Sequence, residues 1–418
     1  MSGTVEKAEE WKPSGNPWLL ILPVMLATFM YALDETVANV ALPHIAGTYS
    51  VSSQESIWVL TSYLMASSIV IPMIDFFCKF LGRKNFFMLG VFVFTIASFL
   101  CGISTSIGMI VVARALQGFG GACLMPMAQS VCMETFTGEA RNKAMAVFGL
   151  VVIVAPILGP VMGGWITENW SWPYIFFINV PVGFICIALA KKFLEDPPYA
   201  RKQQNVHLDK TGFLWLCIWL IPLQIVFDKG NDADWFNAPW ICWLSVIALT
   251  GAVLFFISQV KHKNPLVKLD VFKDSNYLCG TGMLILINAV LLASLAILPQ
   301  LLQYMLGYDS FLSGLAIMPR GLGAFTALMI FGGLGGKISY KTYGIIGLLC
   351  LGTGGWMLGM LNLQINPMNI AIPNFVFGVG LVFTMMPITT LSCITLRNEQ
   401  MTNASGLQNL LKTIGGAI

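Results

Sequence analysis

GLVVIVAPILGPVMGG, residues 149–164, is the stretch on which the reading of this chain turns. It is almost wholly apolar, so it reads as buried. Yet it holds two prolines, Pro156 and Pro160, and four glycines, Gly149, Gly159, Gly163 and Gly164. A helix in water tolerates that mixture poorly, because proline removes a backbone donor and glycine raises the entropy lost on folding. In lipid the freed backbone groups are satisfied by neighbouring helices, so a kinked apolar helix is workable. Gly149, Ala155, Gly159 and Gly163 recur at spacings near four and make a smooth groove that another helix can approach closely.

Composition supports lipid as the solvent. Of 418 residues, 56% are hydrophobic and 10% charged, whereas a soluble domain carries about 25% charged residues. A span needs about 20 consecutive apolar residues. Twelve complete spans are expected, near 17–41, 54–79, 86–104, 107–131, 142–167, 174–191, 211–227, 239–259, 277–303, 310–335, 342–361 and 369–394. A thirteenth begins near 402 and is cut off at Ile418, which reads as a missing C-terminal end. Residues 1–16 are polar and show no cleavage pattern, so no signal peptide is expected. The ten cysteines lie in or beside apolar runs without a CxxC and read as small core residues. His44, His207 and His262 are far apart in expected loops, so neither a metal site nor a cofactor is expected.

Lys and Arg concentrate in loops on the cytoplasmic side of membranes. With the N-terminus inside, the outside loops hold only Lys229, and Arg114, Arg320 and Lys412 lie within spans. The other nineteen of the 23 basic residues fall inside, so the chain is expected in the cell (inner) membrane as a multi-pass protein with a cytoplasmic N-terminus. The expected organisation is a tail (1–16), a six-helix half (17–191), a cytoplasmic loop (192–210), two inserted helices (211–259) and a second half (260–418). PMIDFFCKFLGRK (72–84) and GGLGGKISYKTYG (332–344) follow the second and tenth spans on the same side, a weak echo of paired halves.

Asp34 lies well inside the first span. An ionised carboxylate at bilayer depth costs about 2.5–3.5 kcal/mol on insertion scales and is a functional hypothesis by default. Asp34 is therefore the lead proton carrier. Glu35 follows it, about 100° around the helix, and is expected to face the pocket or the outer surface. A buried guanidinium needs an anionic or carbonyl partner, so Arg114 is expected to pair with Asp34, with Gln117 on the same face. Arg320, beside Pro319, is the corresponding charge of the second half. Asp75 and Lys79 are four apart and suited to pairing. The pocket is expected to be apolar and adaptable, which suits Met. FMYALDE (29–35) and FVFGVGLVFTMMP (375–387) are where it is expected, with Tyr31, Asn39, Gln117, Phe383, Met385 and Met386 as lining and Gln300 and Gln303 as polar contacts. GGLGGKI (332–338) lacks the GxxxxGK[ST] spacing of a phosphate loop, and no HExxH or GxSxG is present, so the chain does not read as an enzyme or an ATP-driven pump.

The 149–164 string, G-x5-A-P-x2-G-P-x2-G-G, resembles the fifth-helix antiporter motif of the major facilitator superfamily. LDETVANVALP (33–43), RALQGFGGA (114–122), WSWPYIFFINVPVG (170–183), FDKGNDADWFNAPW (227–240) and LPQLLQYMLGYDSFLSGLAIMPRGLG (298–323) resemble the EmrB/QacA group of fourteen-helix drug:proton antiporters. The resemblance implies an all-α polytopic membrane protein of two six-helix halves plus two inserted helices. It links Arg114 to proton transfer and places the 149–164 helix at the seam between moving halves. In the loop at 72–84, Gly82, Arg83 and Lys84 fit the family's gating pattern, whereas Asp75 stands where glycine is usual and Lys79 at an acidic position. The implied function is proton-coupled multidrug efflux by alternating access. The alternatives are export of a specific metabolite, siderophore or lipid on the same scaffold, and, further off, a non-transporting membrane sensor. The implied partners are small amphipathic substrates, protons and membrane lipid, with no nucleic acid. For a Gram-negative source they include a periplasmic adaptor and an outer-membrane channel.

Overall fold

The structure, a computed structural model, describes residues 13–417 except 204, 205, 207, 263, 264, 303–305, 309, 335–337 and 362–366. Among the described residues it is all helix, with no strand. The first span is α1 (Pro17–Tyr49). The second is built end to end from α2 (Ser53–Ser56), α3 (Trp58–Val70) and α4 (Ile74–Leu81). The third is α5 (Arg83–Gly102), and α6 (Ile107–Gly121) with α7 (Leu124–Thr135) makes the fourth. Next come α8 (Gly138–Asn169), then α9 (Tyr174–Phe177) with α10 (Asn179–Phe193). They are followed by α11 (Lys210–Lys229), α12 (Pro239–Lys261), α13 (Ser275–Gln300), α14 (Ser310–Leu334), α15 (Tyr340–Gly359), α16 (Pro367–Cys393) and α17 (Met401–Ala417). Eleven helical stretches are long and apolar enough to cross a membrane, and α8 makes a twelfth when its two arms are taken as one span. Those arms, Gly138–Pro156 and Val161–Asn169, meet at 40°, at the prolines that interrupt the backbone ladder.

Helix starts follow the polar residues that cap them. Asn16, Ser106, Asp209, Asp274 and Ser339 each accept a hydrogen bond from a backbone N–H of the first turn that follows. The first helix is longer than its sequence suggests. It continues through Pro43 to a left-handed Ser50 cap whose N–H bonds back to Ala46, so His44 lies on a helix rather than in a loop. The expected span stopped near residue 41, whereas the helix stops where the left-handed cap ends it. Cys279 is exposed and Cys217, Cys242 and Cys350 are half-buried, so the thiols are not uniformly core residues.

Tight packing comes from glycines at helix crossings. A methyl added at Gly118 of α6 would sit 2.2 Å from the Tyr63 carbonyl oxygen of α3, and one at Gly378 of α16 1.9 Å from the Arg320 carbonyl oxygen of α14. The glycines of α8 divide between two neighbours. Gly149 faces Met386 and Leu328, whereas Gly159 and Gly163 receive Thr36 and Val37 of α1. Among these glycines, Gly159 at the bend and Gly163 of the outer arm are thus fitted to a helix of their own half, and Gly149 of the inner arm meets the second half.

The two ends of the bundle are distinct. At one end the basic loops meet: Gln203 N–H donates to Lys79 O (2.8 Å), Lys84 N–H to Asp196 (2.7 Å) and Asn403 to Lys268 O (2.8 Å). At the far end Tyr49 reaches Ser104, and Trp172 reaches Thr48. Hydrogen bonds between described residues of α1–α10 and α13–α17 lie in the basic half of the bundle. Gln129 of α7 donates to Gln408 and accepts from Asn409 of α17, both at 3.1 Å. Ser405 donates to Pro126 O at 3.0 Å, Ser130 and Thr402 hydroxyls meet at 3.4 Å, and Tyr340 donates to Asn142. Residues 401–410 of α17 are buried along this seam, and Leu411–Ile414 beyond it are half-buried.

Because the Tyr63 carbonyl cannot move without breaking α3, Gly118→Ala should destabilise the protein by about 1–3 kcal/mol. Gly355→Ala, with open space around it, should be neutral or stabilising by up to about 1 kcal/mol. Thermal unfolding of both variants in detergent checks the contrast.

Candidate functional site

The polar centre of the first six spans is a single carboxylate and the donors around it. Asp34 comes from the middle of α1 and is 3% exposed. Its Oδ2 accepts from Arg114 Nη1 at 2.6 Å. Its Oδ1 accepts from Gln117 Nε2 at 2.9 Å and from Asn179 Nδ2 at 2.8 Å. Arg114 and Gln117 stand one turn apart on α6, so both reach the same acid. Asn179 begins α10 and also donates to Ser98 Oγ of α5 at 3.1 Å. Ser98 accepts from Gln117 at 3.2 Å and donates to Phe176 O at 3.0 Å, which closes the ring.

Arg114 is fully enclosed. Its Nε donates to the Val59 carbonyl at 3.1 Å and its Nη1 also donates to Gln117 Oε1 at 2.7 Å. The guanidinium lies 4.3 Å from the centre of the Tyr63 ring and 5.6 Å from that of Phe176. Aromatic faces solvate a cation where water is excluded. Six helical segments, α1, α3, α5, α6, α9 and α10, therefore converge on one acid–base pair. Protonating the acid would remove the charge for which Arg114, Gln117 and Asn179 are oriented.

Tyr31, Glu35 and Asn39 are spaced four apart on α1, beside this centre. Tyr31 and Glu35 are half-buried and Asn39 is exposed. The Tyr31 and Tyr63 rings lie 5.9 Å apart. Of the residues expected in a pocket on the second half, Phe383 and Met386 are buried with Leu328, Phe331 and Tyr343, and Met385 is half-buried beside them. Phe383 lies 5.3 Å from Tyr343, and Met386 fills the space over Gly149. Gln303 lies outside the described residues, as do the side chains of Gln300 and Pro160.

A second buried ion pair lies at the basic end. Gly82 adopts φ 86°, a backbone state open to glycine, and turns the chain between α4 and α5. Arg83 beyond it donates to Glu134 Oε2 of α7 at 2.7 Å, and Tyr199 donates to the same oxygen at 2.6 Å. Burial, with the Glu134 carboxylate beside it, pushes the Tyr199 phenol upward, so it remains a donor. Asp75 pairs with Lys79 as their spacing suggests, and Lys84 Nζ donates to Lys191 O at 2.8 Å. Arg320 is handled differently. It is 6% exposed and bonds to Asn374 (3.1 Å) and Ser294 (2.9 Å), with the Phe377 ring 4.7 Å away and no acid among its described partners.

Sequence reasoning did not single out Asn179, Ser98, Tyr63 or Glu134. Asn179 and Glu134 left a signal, each a polar residue within or ending an apolar run, but which of many such residues shares a site depends on helix packing.

Removing one member of a buried ion pair strands the other. Arg114→Ala should destabilise the protein by about 3–5 kcal/mol. The double variant Asp34→Asn, Arg114→Ala should recover part of that loss, because it leaves no unpaired charge. Unfolding midpoints of the two variants in detergent measure the coupling.

Comparison with known proteins places this geometry in a family. A model described as Major Facilitator Superfamily matches residues 24–418. The multidrug export protein EmrB of Haemophilus influenzae is 34% identical over 403 residues, 96% of this chain and 78% of that one. The fatty acid resistance protein FarB of Neisseria gonorrhoeae is 34% identical over 95% of this chain and 78% of its own. EmrB of Escherichia coli is 32% identical over 98% and 80%. Among solved structures, the human organic anion transporter MFSD10 superposes with a TM-score of 0.68 at 14% identity, covering 97% of this chain and 92% of that one. The proton:xylose symporter XylE gives 0.67 at 13%, covering 96% and 86%. An all-helical bundle of this span pattern, matched by the family model along nearly its whole length, belongs to the major facilitator superfamily.

Proposed function

We propose that this protein is a proton-coupled efflux transporter of amphipathic compounds, working by alternating access in the cell membrane with its basic loops in the cytoplasm. The observation that carries the reading is the Asp34 carboxylate, enclosed at mid-span with Arg114, Gln117 and Asn179 directed at it. Structural ion pairs are also buried, but they do not require a carboxylate at mid-span with three side-chain donors from two other helices directed at it. The similarity to proteins named for multidrug export supports the direction of transport.

In this cycle the inward-facing protein takes substrate while Asp34 is ionised and paired. The halves rock, and a proton from outside neutralises Asp34 as substrate leaves. Neutral Asp34 no longer holds Arg114, which relaxes α1 against α6 and favours return. The proton is then released inside and the pair re-forms. One charge moved through 100 mV supplies about 2.3 kcal/mol, enough for a concentration ratio of about fifty. Arg83–Glu134 and Asp75–Lys79 belong to the inner gate in this reading, and Glu35 and Asn39 to the path by which protons and substrate reach the centre. Partners such as a periplasmic adaptor and outer-membrane channel follow for a Gram-negative source.

Export of a fatty acid or related lipid on the same mechanism is the second reading, favoured by the 34% identity to a protein named for fatty acid resistance.

In proteoliposomes with an imposed pH gradient, Asp34→Asn should lower gradient-driven dye movement by at least about tenfold, or 1.4 kcal/mol. Substrate counterflow, which needs no net proton movement, should persist. Undiminished gradient-driven flux in the variant overturns Asp34 as the carrier.

A further inference from the structure

The helices α13–α17 contain no Asp or Glu, yet they carry Arg320 and Lys412 within their spans. The first six spans are the reverse in character, since each of their buried cations has an acid. Arg114 has Asp34 and Arg83 has Glu134, and the half-buried Lys79 has Asp75. The second half thus holds intramembrane positive charge that its own helices cannot neutralise.

The two cations differ in how they are accommodated. Arg320 is buried and solvated by Ser294, Asn374 and the Phe377 ring. Lys412 has nothing comparable. Its ammonium makes no hydrogen bond and no ion pair among the described residues. It is eleven residues beyond Met401 at the basic end of α17, so at 1.5 Å per residue it lies about 16 Å into the helix. That is near the middle of a hydrocarbon core about 30 Å thick, beyond the reach of a lysine to either surface.

Its position on α17 is specific. Thr402, Ser405, Gln408 and Asn409 form the polar stripe that bonds to α7 across the seam. Lys412 is the next member of that stripe, three and four residues past Asn409 and Gln408. There the helix passes from buried to half-buried. Lys412 therefore stands one turn beyond the last members of the hydrogen-bonded seam, where α17 leaves it. Asp34 is engaged by Arg114, and Glu35 makes no ion pair among the described residues.

We propose that Lys412 is the head-group subsite for amphipathic anions, with the carboxylate or phenolate of the substrate as its counter-ion and the apolar body of the substrate lying between the halves. An ammonium at this depth with no anion beside it among the described residues is unfavourable, and an anionic substrate removes that penalty while it is bound. Lysine suits varied head groups, because it is a point charge on a flexible stem and imposes no bidentate geometry. The proposal deepens the efflux reading and rests on it for the direction of transport.

The test is equilibrium binding of dodecanoate, dodecanol and dodecylamine to the purified full chain in neutral detergent, scored as the ratio of affinities within each variant. That ratio is insensitive to the fraction of folded protein. The wild type should favour dodecanoate. Lys412→Gln should lower the dodecanoate-to-dodecanol ratio about tenfold, equivalent to about 1.4 kcal/mol. Lys412→Arg should restore it, and Lys412→Glu should favour dodecylamine. A ratio in Lys412→Gln within about twofold of wild type, a difference of about 0.4 kcal/mol, overturns the subsite. Proteoliposome flux of the same three compounds separates the two readings. Loss of the binding preference without gradient-driven flux in the wild type would leave the subsite standing and reject efflux.

Discussion

Arg114 has no route to water, and a charge so placed must be neutralised where it sits. Asp34 does this directly, while the Val59 carbonyl, Gln117 and the Tyr63 and Phe176 rings satisfy or face the rest of the guanidinium. These groups come from α1, α3, α6 and α9, with α5 and α10 joining through Ser98 and Asn179. A requirement set by one side chain therefore fixes how six helical segments meet. Glycine crossings such as Gly118 against Tyr63 bring the backbones close enough for short side chains to complete the ring. The result is a first half that is rigid around a titratable centre. In the proposed cycle, that close packing is what would carry a change of charge at Asp34 into a change in how these helices meet.

The second half is built on other terms. Its buried cation is held by neutral groups, its glycines bring α14, α15 and α16 together, and its hydrogen bonds to the first half, among the described residues, lie toward the basic end. Gly149 on the inner arm of α8 faces Met386 and Leu328, while Gly163 on the outer arm faces Val37 of α1. The 40° bend lies between these two contacts. Proline at the bend removes the ladder bonds that would couple the two arms stiffly.

Much of this was legible in the sequence. Spans follow from the length of apolar runs, the two ends from basic residues, and the Asp34–Arg114 pair from the need of each buried charge for a partner. The pairing of Asp75 with Lys79 follows from helical spacing. The remainder was hidden for physical reasons. Asn179 and Ser98 are ordinary residues until packing turns them toward Asp34. Glu134 could be paired with Arg83 only once α5 and α7 were known to be neighbours. Phe383 and Met386 suggested a flexible lining by composition, whereas tight contact with α8 makes them part of the core. The first span was expected to end near residue 41, whereas α1 runs on through Pro43 to the left-handed Ser50.

The seam between α7 and α17 joins through amides and hydroxyls as well as through buried apolar side chains such as Met127, Val131, Ala404 and Leu407, with no ion pair among the described residues. Amides and hydroxyls exchange one partner for another with little net change, since each bond surrendered to a neighbouring helix is replaced by one to solvent. An apolar contact would resist wetting, and a charge pair would draw its halves back together over a distance. Neutral polar teeth do neither. The polar bonds of this seam therefore carry little bias of their own toward the joined or the parted arrangement, and the apolar side chains beside them supply what attraction there is.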